Sequence, residues 1–286
     1  MIYRDAKSWV EAPHRAVALF GMSGCGKTRI ASMLRDQGDW FHYSVDYRIG
    51  TRYLGERIVD DFKREAMKSP VLAELLRSDS IRIASKLSFH NLTPLSTWLG
   101  KPGDPARGGI PFEEYVARQR LHREAEIASM LDSRRFIERA HDLYGYSHFV
   151  CDTSGSLCEV VNPDDRSDPV LAALSRSLLL VYIRGTEAHE AALKARFDIA
   201  PKPMYYREDF LRDAWERYLE ARGVAEDAVD PDDFIRWGFG ELLSHRRPLY
   251  QAIADKWGVA VEADDVEAIQ SEPEFVDLIA RALDRS

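Results

Sequence analysis

Three cysteines in 286 residues, Cys25, Cys151 and Cys158, are too few and too unevenly spaced for a disulfide framework or a thiolate metal site. Reduced thiols and a cytoplasmic address are the expectation. Long apolar runs are missing too: no stretch approaches the length of a membrane span, and the first ten residues mix both charges instead of forming a secretory leader. A basic excess is likewise absent. Against 39 Lys and Arg stand 47 Asp and Glu, and the formal net charge of −8 argues against a protein that tracks a nucleic-acid backbone. No N-K-x-D motif for reading a guanine base occurs, and His42, His90, His122 and His148 lack metal-ligand spacing. What is present, at 45% hydrophobic residues, is the composition of an ordinary globular protein long enough to bury a substantial core.

Within it, residues 21–28 read Gly21-Met22-Ser23-Gly24-Cys25-Gly26-Lys27-Thr28, a complete G-x-x-x-x-G-K-[ST] phosphate-binding loop. Glycines let such a loop turn its amide N–H groups inward on a polyphosphate at the positive end of the following helix. The flanks fit: Ala16–Phe20 is a short apolar run suited to a buried parallel strand, and the residues after Thr28 carry apolar side chains at helical spacing. Lys27 is expected to reach the β- and γ-phosphates of ATP and the Thr28 hydroxyl to bind Mg2+, while Cys25 contributes its backbone only.

Further along, residues 40–46 form an expected second strand ending on Asp46, followed by a helix over 47–54. Residues 60–111 combine two helical patterns with stretches such as Gly100-Lys101-Pro102-Gly103-Asp104-Pro105, the composition of a loop-rich insertion. It is either a cover over a site or a solvent-exposed decoration. A helix over 112–140 leads into a strand over 146–152 that closes on Asp152, and 178–183 is a buried strand with its helix over 186–197. Residues 205–244 read as a second, helical insertion with helices over 208–222 and 231–244. A new helix from Pro248, a strand over 259–262 and a helix over 272–283 close the chain. Strands alternating with helices predict one domain over 1–286, a P-loop NTPase-like three-layer α/β/α fold with a parallel sheet. Gly21, Asp46 and Asp152 then converge beyond the carboxyl ends of the strands. Asp152 is read as a magnesium ligand, against the alternative of a helix N-cap, and Asp46 as the group that orients and deprotonates an acceptor hydroxyl.

These pieces, in this order, resemble the shikimate kinases within the nucleoside-monophosphate-kinase-like group. The phosphate loop is followed by Val45-Asp46, similar to that family's acceptor-binding aspartate. Arg123-Glu124-Ala125-Glu126 resembles its R-x-x-E motif, whose arginine binds the acceptor carboxylate. Ser154-Gly155-Ser156 stands in place of its triple glycine, and Lys202-Pro203-Met204 in place of its lid R-P-L. Arg196 resembles its adenine-side arginine. Residues 246–250, Arg-Arg-Pro-Leu-Tyr, resemble its R-x-P-L-Y helix, whose first arginine is a second carboxylate clamp. The chain departs from the family at Ser44, where a magnesium-linked aspartate is usual, at the two serines around Gly155, and at Lys202. Asp152 is the candidate replacement for the missing carboxylate.

The resemblance implies ATP- and Mg2+-dependent phosphoryl transfer to a hydroxyl of a small, anionic, carboxylate-bearing metabolite. It assigns Lys27, Asp46, Arg196 and Lys202 to catalysis, residues 21–28 and Arg196 to the nucleotide, Asp46, Arg123, Gly155 and Arg246 to the acceptor, and Thr28 and Asp152 to the metal. The competing reading is a P-loop ATPase or nucleotide-dependent regulator without a small acceptor. Its insertions would meet a protein partner or a second copy of the chain. Neither nucleic acid nor a membrane is an expected partner.

Overall fold

A computed structural model describes residues 2–285, so Met1 and Ser286 of the expected 1–286 domain lie outside the described residues. Five strands, β1 (Ala16–Phe20), β2 (Trp40–Ser44), β3 (His148–Asp152), β4 (Leu179–Arg184) and β5 (Gly258–Glu262), form one sheet in the order β2-β3-β1-β4-β5. All four pairings are parallel. The central strands are buried along nearly their whole length, as the unalternating apolar runs require of a sheet covered on both faces. Val17 and Leu19 enter one core, while Ala18 and Phe20 enter the other, which gives three layers.

The core on the Val17 side is closed by α1 (Ala6–Val10), α2 (Lys27–Gln37) and two C-terminal helices, Ala263–Ala268 and Glu272–Leu283. Opposite them lies a thicker layer. It is built from α3 (Val45–Arg48), α4 (Gly55–Ala66), α5 (Pro70–Arg77), α6 (Thr93–Leu99), α7 (Phe112–Tyr144), α8 (Leu157–Val160), α9 (Pro169–Ser175), α10 (Glu187–Ile199), α11 (Glu208–Arg222) and α12 (Pro231–Trp257). No helix among the described residues is long and apolar enough to cross a membrane.

Two boundaries differ from expectation. The second strand stops at Ser44, because the Ser44 hydroxyl accepts the Tyr47 N–H and caps a helix, so Asp46 sits in a first helical turn and not at a strand end. The expected break before Pro248 is also missing: α12 runs through it. Phe239, Leu242, Leu243, Arg246, Tyr250 and Ile253 keep one face of that helix buried on both sides of the proline, and this packing outweighs the single backbone bond that proline removes.

From β1 the chain first moves to one edge of the sheet, through β2 and β3, and then to the other, through β4 and β5. The connections therefore part at the carboxyl end of β1, where open parallel sheets hold ligands.

Candidate functional site

The residues leaving β1 make a tight loop. Gly21, Gly24 and Gly26 have φ of +135°, +84° and +96°, a region costly for any side chain. Space is also closed to a Cβ, which at Gly21 would lie 2.7 Å from the Ile183 carbonyl oxygen. Gly26 ends the loop as an N-cap without a side-chain hydrogen bond, so the first N–H groups of α2 are left for an external acceptor. Lys27 is buried and folds back under the loop, its Nζ donating to the carbonyls of Gly21 (2.8 Å) and Met22 (2.9 Å). The Thr28 hydroxyl donates to Asp152 Oδ2 at 2.6 Å. Asp152 in turn ends β3 in register with Leu19 of β1 and Ser44 of β2, with His42 Nε2 3.7 Å away. Sequence placed Asp152 against a cap as the alternative; no cap bond is its contact here, and Thr28 is.

Two cavities meet at this loop. One, of about 510 Å³, is lined by Gly24, Cys25, Gly26, Lys27 and Thr28 together with Arg196 from α10. A Cβ on Gly24 would come 3.4 Å from an Arg196 guanidinium nitrogen, so this exposed arginine lies directly over the loop. The other cavity, of about 320 Å³, lies across Ser23 and is lined by Asp46, Gly155, Lys202 and Arg246. Leu92, Leu95 and Leu99, from the 60–111 segment, supply a third wall. The glycine loop is thus the partition between a site with backbone donors and a site with a carboxylate.

That carboxylate is poised. Burial pushes Asp46 up to about 6, the neighbouring Asp152 charge pushes the same way, and Lys27 opposes them. Behind it stands Glu126, fully buried on α7, whose carboxylate accepts from Ser154 Oγ and from Ser156 Oγ at 2.8 Å. Burial lifts it to about 7; the two serine hydroxyls pull down, Asp46 pushes up and Arg246 pulls down. The serines that replaced the expected glycines are therefore hydrogen-bond donors to this buried acid. Sequence reasoning passed over Glu126 in favour of Arg123. The available signal was the stripe Gln119, His122, Glu126, Ser129, Ser133, polar residues at near-heptad spacing that all fall on the buried face of α7.

The expected pair of arginine clamps is not assembled. Arg123 is exposed on α7 and is not among the residues lining the Asp46 cavity, because its neighbours His122 and Glu126 occupy the inward face of the helix. Arg246 does reach the cavity wall, but at 2% exposure it is a cross-brace. Its Nε donates to Glu159 (2.9 Å), one terminal nitrogen to the Gly155 carbonyl (2.8 Å) and the other to the Tyr205 carbonyl (2.7 Å). Glu159 balances its charge: burial pushes that carboxyl up, and His245 and Arg246 overcome the push and hold it below the ordinary range. Lys202 lies exposed at the rim, in the segment between α10 and α11. Gly155 is glycine for a steric reason, since a Cβ there would sit 2.7 Å from Ser23 Oγ.

Chemically the arrangement fits a nucleoside triphosphate with its metal. The loop is a cradle that Cβ atoms would fill, Lys27 is a buried cation within it, and the Thr28 hydroxyl and Asp152 carboxylate form the hard-oxygen donor pair that Mg2+ prefers.

No protein-family model matches the chain, and no curated protein matches it at significant similarity. Among solved structures the chain is similar to a crystal structure of shikimate kinase from Bacteroides thetaiotaomicron, at 14% identity over 95% of each chain and a TM-score of 0.35. A likeness that low carries no inference about activity.

Proposed function

We propose that this chain is an ATP- and Mg2+-dependent phosphotransferase that moves the γ-phosphoryl group to a hydroxyl of a small acceptor. The observation that carries this reading is the juxtaposition of two cavities across one glycine loop, with Lys27, Thr28 and Arg196 on one side and Asp46 on the other. An ATPase needs the first cavity and has no use for a second one walled by a perturbed carboxylate.

In this reading residues 21–28 hold the phosphates with backbone N–H groups, and Lys27 exchanges its two carbonyl partners for phosphate oxygens. A magnesium ion held by Thr28 and Asp152 supplies positive charge to the phosphate oxygens. Asp46 accepts the acceptor's hydroxyl proton as that oxygen bonds to the γ-phosphorus. The bond from phosphorus to the β–γ bridging oxygen breaks, and its electron pair leaves with ADP. Arg196 and Lys202, both exposed on elements that border the cavities, are the cations available to stabilise charge on the transferring group.

Asp46→Asn tests the assignment. Acceptor phosphorylation should fall by about 10²–10⁴-fold, the range for losing a general base, with ATP binding retained. Equal rates of phosphorylated product from variant and wild type would remove Asp46 from the reaction.

A further inference from the structure

Three features of the Asp46 cavity constrain its occupant, and the identity they give it rests on the phosphotransferase reading of that cavity. The first is charge. Of the cations on its wall, Arg246 is matched by Glu159, while Lys202 and His90 are exposed at the rim. Asp46 lines the cavity, and Glu126 lies directly behind Ser156 and His122. A carboxylate taken inside would give up its hydration without gaining an uncommitted buried partner, next to two acidic groups.

The second feature is the apolar wall. Phe89, Leu92, Leu95 and Leu99 face Met204 across the cavity, and Leu95 and Leu99 are buried in the main core. Apolar walls with few polar groups hold a ligand body by burial and leave orientation to those few.

The third is His122. It lines the cavity at 5% exposure, and its Nδ1 has no hydrogen-bond partner, the nearest Glu126 oxygen being 3.6 Å away. Its ring stacks on Tyr205 at 5.1 Å between centroids and 20° between planes, so its direction is fixed by packing. Leaving a buried polar atom unpaired is costly, and a cavity wall is where a ligand repays that cost.

We infer that the acceptor is an uncharged alcohol with an apolar ring or short chain, held between the leucine wall and Met204 and oriented by one hydrogen bond to His122. A carboxylated polyol is excluded by the same charges that Arg246 and Glu159 already satisfy between themselves.

Cyclohexylmethanol and cyclohexanecarboxylate, matched in ring and differing in charge, are the probes. Each is titrated into the full chain with a non-hydrolysable ATP analogue and Mg2+, and binding is read on the imidazole proton resonance that His122→Gln removes. The alcohol should saturate that shift and the carboxylate bind about tenfold more weakly or less. Binding to His122→Gln, read by calorimetry, should be weaker for the alcohol. Ser96→Arg supplies a cation on the wall at a half-exposed residue whose hydroxyl bonds only carbonyls of its own turn, and should narrow the preference. Equal or tighter carboxylate binding, saturation by neither probe, or an alcohol affinity unchanged by His122→Gln overturns the inference. Phosphotransfer is scored separately: a phosphorylated carboxylate with the neutral alcohol rejected overturns the inference and leaves the kinase reading standing. ATP hydrolysis with the alcohol bound but never phosphorylated does the reverse.

Discussion

Asp46 and Glu126 show how a single carboxyl's surroundings decide what it can do. Asp46 keeps a partly exposed edge in the cavity and is raised to about 6, the value that suits a base working near neutrality. The pH dependence of kcat/KM should therefore rise through about pH 6 and level above it, a limb absent from the residual activity of Asp46→Asn; a rate independent of pH between 5 and 8 would contradict this. Glu126 touches no solvent, and its role in stability follows from the same physics. With its carboxyl lifted from 4.5 to about 7, the folded chain retains a proton in that interval that the unfolded chain releases, so stability falls as pH rises through it. Glu126→Gln keeps an acceptor for the two serine hydroxyls without the charge. Denaturant unfolding should show the variant gaining on wild type by about 1–3 kcal/mol between pH 4.5 and 8, and parallel pH profiles would contradict it. Lys27, Thr28, Asp46 and Asp152 were legible because each belongs to a local pattern next to a strand end. Arg123 was misplaced because a four-residue motif fixes spacing along a helix but not its rotation, and the rotation of α7 is set by contacts as distant as Tyr205 and Ser156.

At the scale of elements, the glycine loop and α12 behave in opposite ways. The loop is dictated locally: Gly21, Gly24 and Gly26 hold backbone geometries that side chains resist. Gly21→Ala forces a Cβ against the Ile183 carbonyl of the adjacent strand, a strain of about 1–3 kcal/mol. Wild type should gain about 2.7 kcal/mol of stability at an ATP concentration a hundred times the Kd, and in Gly21→Ala a thermal-shift titration should show that gain abolished. A full ATP-dependent shift in the variant would show that the loop does not hold the nucleotide. The helix α12, in contrast, overrides its local signal, running on through Pro248 because tertiary packing of residues 234–254 holds it. The five strands were readable for a related reason: each is a short apolar run needing burial on both faces, and only such a sheet provides it. The end of β2 was not, since nothing in the run 40–46 distinguishes the residue that pairs from the one that caps.

On the scale of the whole molecule, the sheet places four strand ends around one partition, and the thick helical layer builds a second chamber against it. The segment over 60–111 takes part in that chamber through Leu92, Leu95 and Leu99, so it is a wall of the site and not a decoration remote from it. The expected carboxylate clamp failed at this scale, because whether an arginine is available depends on every buried partner it has met, and Arg246 has met Glu159, Gly155 and Tyr205. The central claim is that the γ-phosphoryl group crosses the partition to an alcohol. Phosphorus NMR of the chain with ATP, Mg2+ and neutral cyclic alcohols follows that group directly. A phosphomonoester resonance should grow in step with ADP and depend on Asp46, whereas inorganic phosphate accumulating at the same rate with and without alcohol would contradict the claim.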